Sequence, residues 1–167
     1  MKAIADSGPL IHLAAVSQFG LLRRYFAELQ VPPSVFQEVV VVGSGQPGSR
    51  ETEMAAQSGW LTIALLPEPA LVASWLRQGL SSTDAAVLAL AQEHPGHILL
   101  ADDRVVRTTA LAAGLQVYGT IGLLIDGKRD GHLSTLQPVL DQLIASGFYL
   151  DPGSPLYQEA LRLAGEA

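Results

Sequence analysis

Cysteine is absent from all 167 residues of this chain. Without thiols there is no disulfide framework, no thiolate zinc site and no cysteine nucleophile, which accords with a reducing compartment. The histidines, His12, His94, His97 and His132, are scattered, and no HExxH-like spacing links them. Long apolar runs are missing too: none approaches the roughly 20 residues that a membrane helix needs. The stretch "MKAIADSGPLIHLAAV" has a lysine followed by apolar residues, but Asp6 and Pro9 interrupt it before the apolar region of a signal peptide can form. A soluble, cytoplasmic protein without membrane association is therefore expected. Positive charge is scarce, with 10 Lys and Arg against 16 Asp and Glu and a net charge of −6. The field of the whole molecule repels nucleic acid, so any polyanion binding must come from local cationic groups. That argues against a nonspecific coating protein and leaves room for an enzyme with a small basic rim. Repeats and low-complexity tracts are also lacking.

What is present is apolar residues in quantity, 49% of the chain, enough for one compact domain with a sizeable core. Short apolar stretches at 2–5, 29–31, 61–65, 97–101 and 115–118 alternate with segments of helical spacing. This is the βαβ pattern of an α/β protein with a mostly parallel sheet. The Gly- and Pro-containing stretch "GSGQPGSR" (43–50) reads as an exposed connection. Beyond residue 118 the chain is helical over 120–130, 134–147 and 154–166, with Pro138 expected in the first turn of its helix. We expect a single domain over 1–167, with a core of about 1–130 and a C-terminal helical extension of about 131–167. Leu156, Ala160 and Leu163 fall on one stripe of the last helix, which suits docking on the core or a partner surface.

The acids have individual local explanations. Asp6 follows the first strand in "IADSGPL" as an Asx turn opening a helix. Glu38 lies one turn into a helix begun by Pro33 and Ser34. Ser81 and Asp84 have the capping-box spacing. In "HILLADDRVV" (97–106), Asp102 reads as the N-cap of the next helix, with Asp103 near the positive end of its dipole. Their joint placement says more. Asp6 and Asp102 end strands of a parallel sheet, while Glu38 and Asp84 sit in first turns of helices, so all can face the crevice at the carboxyl edge of the sheet. Carboxylates about 5 Å apart repel by about 3 kcal/mol per pair at an effective dielectric of 20. A cation or raised pKa values must offset this, and oxygen-only ligands point to Mg²⁺ or Mn²⁺. Arg104 and Arg107, one turn apart, are either phosphate ligands or solvated charges. Lys128 and Arg129 end another helix, where they favour its C-terminus or extend a basic rim. Ser7 and Thr83 are placed to orient water or phosphate, and neither has a base at motif spacing that would make it a nucleophile.

Taken in order, "IADSGPLIHLA", "VPPSVFQEV", "LSSTDAAVLALA", "ILLADDRVVR" and "GLQVYGTIGLLIDGKRDG" resemble the PIN domain, in its DUF3368-type branch related to toxin-like ribonucleases. The resemblance runs over nearly the whole chain. It implies a three-layer α/β/α fold with a short, mostly parallel central sheet and an additional C-terminal helical segment. It further implies a metal-dependent nuclease that hydrolyses phosphodiester bonds in single-stranded RNA, with Asp6, Glu38, Asp84 and Asp102 as the catalytic cluster. Mg²⁺ or Mn²⁺ would be held by Asp6, Asp84, Asp102 and Asp103, with the direct ligand among the last two left open. Ser7, Thr83, Arg104 and Arg107 would contact the substrate. An antitoxin protein and a second copy of the chain are the partners it suggests. The branch commonly has "GEAEA" where this chain has "TDAAV" (83–87), so Asp84 keeps the first acid and Ala86 lacks the second. The alternative is a catalytically degenerate PIN-like module acting through protein or RNA contacts. A phosphoacceptor receiver also places acids at a sheet edge, but it wants a lysine past the last strand, and "VYGTIG" has none.

Overall fold

The computed structural model describes residues 1–167. Five strands, β1 (Lys2–Ala5), β2 (Glu28–Val31), β3 (Leu61–Ile63), β4 (Ile98–Leu100) and β5 (Val117–Tyr118), form one sheet in the order β3-β2-β1-β4-β5. Every pairing is parallel. The chain thus begins at the centre, winds outward through β2 and β3, and crosses back to β4 on the other side of β1. The reversal of winding lies between β1 and β4, where the register pairs Ala3, Ile4 and Ala5 with Ile98, Leu99 and Leu100. Open α/β sheets bind ligands at the carboxyl side of such a switch point. Beyond the exposed Lys2 that opens β1, the residues of β1 and β4 are all apolar, because helices cover both faces of the sheet.

The helices are α1 (Ser7–Ala15), α2 (Gly20–Tyr25), α3 (Pro33–Phe36), α4 (Ser49–Gln57), α5 (Pro69–Leu76), α6 (Ser82–Glu93), α7 (Arg104–Ala112), α8 (Thr120–Arg129), α9 (Gln137–Ala145) and α10 (Pro155–Leu163). On one side α1 packs against α4 and α8, and α8 against α2 and α10. On the other, α6 packs against α5 and α7, which gives helix, sheet and helix layers. A single apolar core runs from Ala3 to Ala164. No helix is long and apolar enough to cross a membrane.

Two local features bear on the site. The helix begun by α3 widens into a π-helical segment, Gln37–Val42, over the sequence QEVVVV. Four successive β-branched valines crowd a regular α-helix, and π segments gather at functional sites; Glu38 stands in the first turn of this one. Gly48, the N-cap of α4, has φ +93°, and a Cβ there would lie 3.0 Å from the Leu10 carbonyl oxygen and 3.1 Å from the Ile11 Cα. Only glycine allows both that conformation and so close an approach of α4 to α1. Helix α4 therefore begins inside the stretch read as a connection, at Ser49. Pro138 lies in the first turn of α9, as its missing N–H requires.

The last helix differs from expectation in register. Its buried residues are Tyr157, Ala160 and Leu161, whereas Leu156 and Leu163 are exposed. The stripe through Leu156, Ala160 and Leu163 is displaced by one residue from the face that docks. Two polar contacts explain the choice: the Ser154 hydroxyl accepts from the Tyr157 N–H at 3.3 Å, and the Tyr157 hydroxyl donates to Asp141 at 2.6 Å.

Candidate active site

The Asp6 N–H continues the β1–β4 ladder by donating to the Leu100 carbonyl at 2.9 Å. The chain then turns into α1, and Asp6 becomes its N-cap, with Oδ1 accepting from the Ser7 N–H at 2.8 Å. This follows from an aspartate placed just after an apolar strand and before Ser-Gly-Pro. Asp6 is only 6% exposed. Burial chiefly, with the negative charges of Asp84, Glu38 and Asp102 behind it, pushes its carboxyl up to about 6, against the opposing hydrogen bond from Ser7. The Ser7 hydroxyl lies 3.3 Å from Glu38 Oε1 and 3.5 Å from Asp6 Oδ1, so it links the start of α1 to the π segment.

Asp84 is brought in from α6. The Ser81 hydroxyl caps that helix by accepting from the Asp84 N–H at 3.1 Å, which fixes the turn that carries the carboxylate. Ala86, two residues on, is about 200° further around the helix and does not line the cleft described below.

The paired acids after β4 exchange the roles expected of them. Asp103 is the N-cap of α7, its Oδ1 accepting from the N–H groups of Val105 at 2.8 Å and Val106 at 3.0 Å. Asp102 instead turns toward the start of α8. Its Oδ1 accepts from the Thr120 N–H at 2.8 Å, and its Oδ2 accepts from the Thr120 hydroxyl at 2.6 Å and pairs with His12 Nδ1 at 2.7 Å. The physical reason is that Ala101 still pairs with β5, donating to the Tyr118 carbonyl at 3.0 Å, so the chain leaves the sheet one residue later than the sequence suggests. Gly119 makes room for this bonding, since a Cβ there would lie 3.2 Å from Asp102 Oδ1 and 2.6 Å from Arg107 Nη1.

Asp6, Ser7, Glu38, Thr83, Asp84, Asp102, Asp103 and Arg104 all line one open cleft of about 840 Å³. Arg107 does not line it: its Nη1 donates to the Ala101 carbonyl at 2.9 Å, and it faces a neighbouring cleft instead. Lys128 and Arg129 line neither. Residues the sequence reading missed are His12, Thr120, Phe148 and Tyr149. For His12 the only signal in the sequence was its place four residues after Gly8 on one face of α1; that this face meets Asp102 is set by the fold. Phe148, whose ring meets His12 edge-on at 4.8 Å, had none, because only the fold returns the C-terminal extension to the cleft.

No three acid or histidine side chains converge closely enough to enclose a metal ion among themselves. Mg²⁺ does not require such a cage: it keeps several waters and is held by one or two carboxylates together with substrate phosphates. An oxygen-only donor set, in which Asp6 is raised first by burial and then by its acidic neighbours, suits that kind of ion. Asp6, Glu38 and Asp84 have free carboxylate oxygens for it, whereas Asp102 already has three partners for its roughly four lone-pair sites.

A family model described as DUF3368: PIN domain matches residues 2–166 of this chain. No curated protein matches it.

Proposed function

The chain belongs to the PIN-domain family, whose members are generally nucleases and typically use divalent metal ions, and from that premise we propose that it is a Mg²⁺- or Mn²⁺-dependent ribonuclease acting on single-stranded RNA. The observation that carries the reading is the gathering of Asp6, Glu38 and Asp84 from three separate elements into one cleft, where their charges help to raise Asp6. When bound, a divalent cation supplies Lewis-acid polarisation of the phosphodiester and offsets the charge of the leaving oxygen.

Asp6, Asp84 and Glu38 would hold the ion, with Asp103 able to reach it through water from its uncapped oxygen. Asp102, tied to Thr120 and His12, is a positioning residue that fixes α8 and α1 at the edge of the cleft. Glu38, exposed and bonded only through Ser7, orients the attacking water. Ser7 keeps the Asp6 and Glu38 carboxylates in register. Thr83 and the exposed Arg104 stand at the rim, where they bind the phosphates flanking the scissile bond. Since the cleft is acidic, Arg104 and the metal together must overcome its repulsion of the substrate.

Incubating the purified chain with a diverse single-stranded RNA pool tests the reading. Cleavage should require Mg²⁺ or Mn²⁺, stop reversibly in EDTA, and fall at least 100-fold in Asp84→Asn. Equal cleavage in EDTA, or none across the pool with Mn²⁺, would overturn it. The DUF3368-type resemblance further supports a toxin role restrained by an antitoxin protein, for which growth arrest on expression, relieved by Asp84→Asn, is the corresponding test. A degenerate binding module is the second reading, favoured by Ala86 where the branch commonly has a second acid and by the net charge of −6. Such a module would bind RNA without cutting it.

A further inference from the structure

Beside the acidic cleft lies a second one of about 360 Å³, and Asp102, Phe148, Tyr149 and Leu156 line both. The second cleft has a different chemistry. Its walls include Tyr118, Ile121 and Ile125 of β5 and α8, and Arg107 is its one cationic residue. The bond from Arg107 Nη1 to the Ala101 carbonyl holds the guanidinium against the end of the sheet and leaves most of its five N–H donors for another group. Tyr149 is fully exposed at the boundary between the clefts. It follows directly on Phe148, whose ring is anchored on His12.

An apolar wall, an exposed aromatic face and a single fixed guanidinium are the groups that accept a nucleobase and its phosphate. The volume lies at the low end of pockets that take one small ligand, too small for a helix or strand of a protein partner. Because the two clefts share Asp102, Phe148, Tyr149 and Leu156, one strand can occupy both at once. We propose that this second cleft is the nucleoside subsite of the nuclease centre. The base adjoining the cleaved bond lies against Tyr149 and the apolar wall, and Arg107 meets its phosphate. The subsite rests on the ribonuclease reading above and deepens it: the substrate is engaged as an unpaired strand because a base must leave its stack to enter.

The test uses the full chain with Mn²⁺ and fluorescein-labelled single-stranded RNA, comparing the parent, Tyr149→Ala and Tyr149→Phe. Because Tyr149 is fully exposed, both variants keep the core and should melt with the parent. Tyr149→Ala should raise KM roughly tenfold while kcat stays within about twofold, and Tyr149→Phe, which keeps the ring, should restore KM. Scanning one abasic nucleotide along the strand should reveal a position beside the cut where loss of the base raises KM in the parent but not in Tyr149→Ala. An unchanged KM in Tyr149→Ala, with equal abasic effects in both proteins, would overturn the subsite and leave the nuclease reading standing. A parent protein that cuts no RNA would overturn both.

Discussion

Asp6 performs two tasks with opposed electrostatic demands: it caps α1, which favours a charged acceptor, and it sits buried among Asp84, Glu38 and Asp102, which disfavours charge. Its carboxyl rises from 3.8 to about 6, so between these values the folded protein binds more protons than the unfolded chain. Stability without metal should therefore fall as pH rises through that window, by about 3 kcal/mol at full effect. Asparagine keeps the capping oxygen and removes the charge. In EDTA, Asp6→Asn should melt above the parent at pH 7 and beside it below pH 4. A parent whose stability is flat across the window would show that neither burial nor the neighbouring acids raise Asp6. The neighbouring pair gives a second test. Asp103→Asn should be nearly neutral, since asparagine caps as well as aspartate. Asp102→Asn turns its charge-assisted bonds with the Thr120 hydroxyl and His12 into neutral ones and should cost about 1.5 to 3 kcal/mol in urea melts. The reverse order would restore Asp102 as the α7 cap. That Asp6, Glu38, Asp84, Asp102 and Asp103 would share one cleft was legible in the sequence, because an acid after an apolar strand, or at the start of a helix, has few places to point. Which of Asp102 and Asp103 caps was not legible, since it depends on one further backbone bond, from Ala101 to Tyr118.

Strands were the most legible elements, because runs such as Ala3–Ala5 and Leu99–Leu100 are buried on both faces and carry no alternation to misread. Lengths were less so: β5 keeps only Val117 and Tyr118 of the expected 115–118. The π segment was not legible, because four β-branched valines lower helix propensity without specifying a wider turn. In α10 the error came from counting leucines without the tyrosine, whose ring fills the core while its hydroxyl reaches Asp141. The register has a direct thermodynamic consequence. Leu161 is 6% exposed and Leu163 45%. Leu161→Ala should cost about 2 to 4 kcal/mol through lost burial and a residual cavity, and Leu163→Ala under about 1 kcal/mol. Denaturant melts of the two variants decide this, and a larger loss in Leu163→Ala would place α10 on the other stripe.

At the scale of the whole molecule, a net charge of −6 and an acidic cleft make two different claims about cations. A diffuse negative field attracts any cation and is relieved by any salt, with a Debye length of about 10 Å at 0.1 M. A site distinguishes a divalent ion from the same ionic strength of a monovalent one. Mn²⁺ bound only to the folded state stabilises it by mass action, about 2.7 kcal/mol when the free ion is at 100 times its dissociation constant. Melts at pH 7 in millimolar Mn²⁺ should therefore rise above melts in NaCl matched for ionic strength, and Asp84→Asn should lose that excess. The excess should also shrink as pH falls through about 6, because protonating Asp6 removes a ligand charge and competes with the ion. If NaCl reproduces the whole shift, or if Asp84→Asn keeps it, the carboxylates are a screened surface and not a metal site, and cleavage by the route proposed here has no chemical basis.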